Sequence, residues 1–289
     1  THKFNNQFGG SQAESGLMNL GNWLSTGKFF ETMECDQHTH GRHFESGFPL
    51  IGELPVFKQI LDAANLNPVY DESIEHCNQD GLSELGIYLV NRLIDKNMLI
   101  ELDHLSNKSA TETMDIVEAR GYSGVITSHS WMSDGKNGAV HDNTRRLLEV
   151  GGFGTPMNRD ANNVDARISR YLDIVEQTPY LDGVSFATDM SGLAGQPGPR
   201  SDAGTNPLEY PFTTEFGLVV NKQQSGNRTF ELNNDGIAHY GMVADHLQDI
   251  RENASNRVYE AVMNSAEAYL QMWERAEAST NTTHHNPAN

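Results

Sequence analysis

Basic residues are scarce in this sequence of 289 residues, which has 20 Lys and Arg against 39 Asp and Glu. The formal net charge of -19 repels phosphate backbones and anionic lipid surfaces. We therefore expect no nucleic-acid partner. Acidity also helps a protein to stay soluble outside the cell, so the composition favours a secreted or cell-surface location.

Long apolar runs are also missing, because the longest are short pieces such as residues 98–100. A helix that crosses a membrane needs about 18 apolar residues, so we expect no membrane insertion. The sequence begins at Thr1 without an initiator Met and without a charged and then apolar leader. This start predicts a processed product or a fragment of a longer protein.

Only two cysteines occur, Cys35 and Cys77, and both lie in segments rich in Asn, Gly and His. They either form one disulfide or remain two unpaired thiols, as is usual in a reducing compartment. If the protein is secreted, we expect the bridge, which would tie the long first loop to the stretch before Gly81.

Helices and strands alternate along the middle of the chain. Leucines recur at helical spacing from Leu82 to Leu93, and an apolar strand follows at residues 98–102. The same unit then repeats, with predicted helices at 109–119, 142–150 and 164–177 and predicted strands at 124–128, 152–156 and 183–188. This alternation predicts a parallel sheet with crossover helices.

The flanking regions show less periodicity. Residues 1–80 predict a short opening strand at 1–4 followed by loops, and the Pro- and Gly-rich segment 191–226 predicts a long loop. Two closing helices are predicted at 238–251 and 257–278. Residues 279–289 are predicted to be a disordered tail, so that one domain covers residues 1–278.

Three polar residues, His104, His129 and Asp189, each follow a predicted strand directly. The carboxyl ends of parallel strands meet at one face, where barrel enzymes form their sites. We expect the three functional groups to lie within roughly 10 Å of one another, since neighbouring strands are about 4.8 Å apart. Imidazole and carboxylate are suitable ligands for zinc or a similar divalent ion.

Four segments carry a resemblance to a known family. They read GLSELG at 81–86, MLIELDHLS at 98–106, VITSHS at 125–130 and GVSFATDMSG at 183–192. In this order they resemble the second half of the membrane (renal) dipeptidases, a zinc-dependent branch of the amidohydrolase superfamily. Shorter stretches at 196–200, 235–242 and 266–275 are similar to a larger secreted bacterial subgroup, so the likeness spans nearly the whole chain.

The resemblance implies a TIM-like (β/α) barrel with two metal ions bridged by a hydroxide. It assigns His104 and His129 to the second metal and makes Asp189 the acid/base carboxylate. The opening THKFNN resembles the family strand whose His polarises the substrate carbonyl, so His2 takes that role.

The sequence also departs from the family. The His-x-Asp pair and the bridging Glu that hold the first metal would lie upstream of Thr1. The Arg that binds the dipeptide carboxylate aligns ambiguously here, and the candidates for substrate binding are His141, Arg145 and Arg200.

The strand count predicts an incomplete barrel. About five strands are predicted, and the C-terminal helices follow them. A closed TIM-like barrel has eight strands. We expect a preceding segment or a second chain to complete the barrel and its metal ligands, and we expect the isolated chain to aggregate or bind metal weakly. Homo-oligomer formation is left open.

Two local patterns offer alternatives. Asp36-Gln-His38-Thr-His40 imitates the ligand pair of a first amidohydrolase strand, although no apolar strand precedes it, and a polar loop is the favoured interpretation. Asp235 with His239 could form a further metal or substrate site, but an N-cap at Asp235 is the favoured interpretation.

The leading hypothesis is metal-dependent hydrolysis of an amide or peptide bond in a small substrate, with zinc, as one or two ions, as the expected metal. The alternative is a non-catalytic surface or assembly protein built on a degenerate or truncated barrel. Retention of His104, His129 and Asp189 together favours the hydrolase.

Overall fold

The computed structural model describes residues 21–35, 46, 56, 59, 63, 69–129, 140–158, 161–188 and 197–281. The chain divides into two units, which are described separately. The first unit contains residues 1–98, 104–121 and 134–143, and the second contains residues 99–103, 122–133 and 144–289.

The described part of the first unit includes a short helical stretch at residues 21–26 and a two-stranded antiparallel ribbon. Strand β1 (Thr32–Glu34) pairs with β2 (His76–Asn78). Cys35 and Cys77 form a disulfide at the ribbon, with Cα atoms 5.0 Å apart, a separation within the usual range for this bond. The bridge expected from the sequence is confirmed.

Two capped helices complete the described part of the first unit. Helix α1 (Glu84–Asp95) begins where the Ser83 side chain accepts a hydrogen bond from Gly86 N, and α2 (Asn107–Ala119) begins where Ser106 accepts one from Ser109 N. The two helices contact each other. Their buried apolar side chains recur at helical spacing and include Val90, Ile94, Ala110, Met114 and Val117.

Three short parallel strands form the sheet of the second unit. Strand β3 (Ile100–Glu101) pairs with β4 (Val125–Thr127), and β4 pairs with β5 (Phe153–Gly154). A parallel bridge between Met157 and Ala187 lies where the next strand was predicted. The predicted strands at 98–102, 124–128 and 152–156 are thus confirmed in position and direction.

The described strands form small sheets, and no closed barrel is present among them. The strand expected at residues 1–4 lies outside the described residues. The TIM-like barrel therefore stays a prediction, while a mixed helix and strand architecture with parallel strands is observed.

The predicted helices are found with shifted ends. Helix α3 (Asp142–Glu149) follows β4 in the chain, and α4 (Val164–Val175) follows β5 and a 3-10 turn at Ala161–Asn163. Side chains buried on α3 and α4 include Leu147, Leu148, Ile168, Tyr171 and Leu172.

Part of the segment predicted as a long loop is structured. Strands β6 (Phe212–Thr213) and β7 (Val219–Val220) form one antiparallel hairpin, and β8 (Gln223–Ser225) and β9 (Arg228–Phe230) form another. A short helix, α5 (Leu232–Asp235), follows. The loop prediction for 191–226 was wrong for this part, because buried side chains give it a core of its own: Leu208, Phe212, Leu232, Ile237 and Met242.

The closing region contains three helices rather than two. After a 3-10 turn at Tyr240–Met242, the helices are α6 (Val243–Asn253), α7 (Asn256–Met263) and α8 (Ser265–Asn281). The last helix continues past residue 279, where the tail was expected to begin. Of the helices that the structure describes, none combines the length and the apolar character needed to cross a membrane.

Candidate functional site

The carboxyl ends of β3 and β4 carry the polar cluster of the second unit. The parallel register continues beyond β3, because Leu102 N donates to Ile126 O at 3.0 Å. This pairing brings the residues after β3 beside those after β4. We call the resulting group, Glu101, Asp103, Ser128 and His129, the strand-end cluster.

Asp103 and His129 form the closest pair of this cluster. His129 N donates to Asp103 Oδ2 at 2.8 Å, and His129 Nδ1 lies 3.0 Å from the same oxygen. The Asp103 side chain is only 3% exposed and that of His129 is 12% exposed. One carboxylate oxygen therefore fixes both the backbone and the ring of the histidine.

Glu101 and Ser128 surround this pair. Glu101 Oε1 accepts hydrogen bonds from Asp103 N at 3.0 Å and from Ser128 N at 3.2 Å, and Ser128 Oγ lies 3.1 Å from His129 Nδ1. Desolvation of the Glu101 carboxylate, and then the nearby charge of Asp103, raise the pKa of Glu101. The carboxylates of Glu101 and Asp103 thus accept hydrogen bonds from the backbone of the two residues that follow β4.

The geometry of the pair determines what His129 can do. An ionised Asp103 favours the tautomer in which Nδ1 carries the proton and donates it to Oδ2, so that Nε2 carries the lone pair. A histidine fixed in this way by a carboxylate is the arrangement typical of metal-ligating imidazoles. The same arrangement suits a general base.

Of the other residues predicted for the metal centre, only His104 lies among the described residues. His104 belongs to the first unit and occupies a turn directly after Asp103, with a φ of 64°. Asp189, His2 and the pair His38 and His40 lie outside the described residues. The expected grouping of His104, His129 and Asp189 therefore stays a prediction.

The predicted substrate-binding residues beside α3 differ in exposure. His141 is buried, and its Nδ1 accepts a hydrogen bond from Asn143 N at 3.2 Å, in the first turn of the helix. Arg145 is exposed on the same helix. His141 thus has a structural contact of its own, while the guanidinium of Arg145 reaches solvent.

Arg200, the third substrate-binding candidate, is held by acidic side chains. Its Nε donates to Asp249 at 2.9 and 3.1 Å, its Nη1 pairs with Asp202, and its Nη2 donates to Asn206 O at 2.8 Å. The Arg200 side chain is 8% exposed. These contacts fix the guanidinium and neutralise its charge.

Asp235 does not have the role favoured by the sequence. It is the last residue of α5, and its carboxylate accepts hydrogen bonds from Glu231 N at 3.0 Å and from Arg228 Nη2 at 2.8 Å. The N-cap prediction was wrong, because Glu231 precedes the helix. His239 instead accepts from Gly241 N at the start of the 3-10 turn.

The described residues contain no group of three or more His, Cys, Asp or Glu side chains arranged to hold a metal ion. The strand-end cluster supplies one well-oriented imidazole and its carboxylate partner.

Sequence comparisons add no assignment. No protein-family model matches the chain, and no curated protein matches it.

Proposed function

We propose that the chain belongs to a secreted or cell-surface metal-dependent hydrolase that cleaves an amide or peptide bond in a small substrate, as the membrane dipeptidases do. The observation that supports this most is the pairing of buried Asp103 with His129 at 3.0 Å, at the carboxyl ends of neighbouring parallel strands. The Cys35–Cys77 disulfide supports an oxidising location.

In this proposal His104 and His129 hold a divalent ion, most naturally zinc, and further ligands for one or two ions come from a preceding segment or a second chain. The donor chemistry of His129 fits a metal, because an imidazole oriented by a carboxylate such as Asp103 is typical of metal-ligating histidines. When bound, the ion lowers the pKa of a water molecule towards neutrality.

In this proposal, residues of the chain orient the metal ligand, transfer the proton and bind the substrate. Asp103 orients the His129 ring through its contact with Nδ1. Asp189 takes the proton of the attacking water and delivers it to the leaving amine, and His2 donates a hydrogen bond to the substrate carbonyl. Exposed Arg145 is the best-supported partner for a substrate carboxylate, and His141 and Arg200 remain the other candidates.

The test uses the natural full-length protein, loaded with zinc and incubated with the unblocked dipeptide Ala-Ala, while released alanine is quantified. We expect hydrolysis that EDTA abolishes, that added zinc restores, and that His129→Ala reduces at least about 100-fold. Asp173→Asn, at an exposed position on α4, should leave the rate unchanged. A protein that binds no zinc and cleaves no dipeptide would instead favour the non-catalytic assembly protein.

A further inference from the structure

The second unit contains an open cavity that lies outside the strand-end cluster. Its volume is about 450 Å³, within the usual range for pockets that hold small molecules. It is formed by the 3-10 turn at Ala161–Asn163 with the start of α4, the loop at Arg200, and the end of α6. We call it the α4–α6 cavity.

The polar walls of this cavity are fixed by hydrogen bonds. Asn162 Oδ1 accepts from both Ser201 N and Ser201 Oγ at 2.8 Å. Asp165 Oδ1 accepts from both Ser255 N and Ser255 Oγ at 2.7 Å. Side chains held in this way are already ordered before a ligand arrives, which lowers the entropic cost of binding.

The charge of the lining favours a cation. Asp165, Asp202 and Asp249 line the cavity with Arg200 as the basic residue, so that one guanidinium offsets one of three carboxylates. The second carboxylate oxygens of Asp165 and Asp202 accept no hydrogen bond within the part of the chain that the structure describes. The end of α6 adds the negative pole of a helix.

The remaining lining limits the kind of cation. Val164, Ile250 and Ala254 give the cavity an apolar strip. None of the described lining residues is aromatic, which disfavours both sugar stacking and the aromatic cages that bind quaternary ammonium groups. A primary ammonium or a guanidinium on a short alkyl stem matches both the carboxylates and the strip.

A second cavity supplies an independent observation. It has a volume of about 10 Å³, which is room for one small polar group, and it shares Arg200 and Asp249 with the α4–α6 cavity. His246 lines it, is 1% exposed, and has no hydrogen-bond partner at Nδ1 among the described residues. A buried polar atom of this kind normally has a partner, and the small cavity that His246 lines has room for one water molecule.

We propose that the α4–α6 cavity binds a small organic cation, an alkyl ammonium or guanidinium compound, whose charged group pairs with Asp165 and Asp202 and whose stem contacts Val164 and Ile250. This site is separate from the strand-end cluster. It requires neither a metal nor hydrolase activity.

Isothermal titration of the natural full-length protein with agmatine, in low salt without metal, tests the site. We expect saturable binding of agmatine at one site. The affinity should be about tenfold lower in the double variant Asp165→Asn/Asp202→Asn, because each change removes one charge-assisted pair. The matched control is Glu252→Gln, which removes one negative charge close to Asp249 without lining the cavity and should change the affinity less than about twofold.

The half-exposed Asp202 gives a variant with little risk to folding. Asp202→Asn alone should weaken agmatine binding, while circular dichroism shows an unchanged fold. A blocked Ala-Arg-Ala peptide distinguishes the source of the cation, because binding by agmatine alone identifies a free small molecule and equal binding by the peptide identifies a polypeptide side chain. Absence of binding by both probes, or equal binding to the double variant, would overturn the proposal.

Discussion

One carboxylate oxygen of Asp103 contacts both the backbone nitrogen and the ring of His129. A negative charge at this position strengthens the imidazole as a ligand for a metal cation. Asparagine at this position would keep a hydrogen-bond acceptor but lose the charge. The contribution of the charge can therefore be separated from that of the contact.

We expect Asp103→Asn to lower the zinc affinity of the full-length protein about 10- to 100-fold. Competition titration with a chromogenic zinc chelator measures this change. Asp173→Asn makes the same chemical change at an exposed surface position and should leave the affinity within about twofold. Equal affinities for wild type and Asp103→Asn would show that the carboxylate does not support a metal ligand.

His246 provides a second test at the residue scale. It is buried on α6 with Nε2 3.1 Å from Asn158 Nδ2, and burial lowers its pKa to about 4. The unfolded chain takes up a proton as the pH falls below about 6.5, whereas the folded chain resists protonation until about pH 4. The stabilisation from neutral His246 is therefore complete above about pH 6.5 and is lost as the pH falls towards 4.

The free energy of unfolding should fall by on the order of 3 kcal/mol across that interval because of this residue. His246→Gln removes the titration, and its urea-unfolding curves between pH 7 and 4.5 should show a shallower dependence on pH. Other titrating groups contribute equally to both proteins, so the difference isolates His246. Parallel pH profiles would contradict the buried neutral histidine.

At the scale of secondary-structure elements, β5 begins with a close backbone contact. A Cβ at Gly152 would lie 2.5 Å from Val125 O and 2.8 Å from Leu147 O. Neither backbone oxygen can rotate away as a side chain would. Only glycine at position 152 therefore allows the chain to pass from α3 into β5 and lets β5 pair with β4.

Gly152→Ala should lower the free energy of unfolding by about 1–3 kcal/mol, because the added methyl group forces the strand or the helix to move. Chemical denaturation measures this loss. The control is Gly204→Ala, where an added Cβ meets no atom within 4 Å, and its effect should stay within about 0.5 kcal/mol. Similar values for both variants would mean that β5 tolerates a side chain at its start.

The elements with strong periodicity could be predicted from the sequence, and those held by distant contacts could not. Helix α1 and strand β4 follow local apolar spacing and were located within a few residues. The hairpin of β6 and β7 was missed, because its strands are only two residues long and are stabilised by packing against residues 232–242.

The same distinction applies to the candidate site. His129 was identified because it directly follows a strand, which is a local signal. Two contacts were missed, that of Asp103 with His129 and that of Glu101 with Ser128, because they join residues 26 and 27 positions apart. The alternation of Glu101 and Asp103 along β3 and its extension was the available signal, since side chains two apart point to the same face of a strand.

At the scale of the whole molecule, the net charge of -19 raises the local concentration of cations around the protein. This field favours both a divalent metal at the strand-end cluster and an organic cation in the α4–α6 cavity. It acts against polyanionic partners. Both proposed ligands are therefore consistent with the charge of the chain, although they occupy different sites and can be tested independently.

Cobalt absorption tests whether His129 is a metal ligand, as we propose. Cobalt replaces zinc in similar sites and absorbs visible light with an intensity that depends on its ligands. Titration of the natural full-length protein with Co²⁺ should give a saturable visible band that differs from that of aqueous cobalt, and the band should weaken strongly in His129→Ala but not in Asp173→Asn. A spectrum that stays that of aqueous cobalt, or an identical band in His129→Ala, would contradict the account.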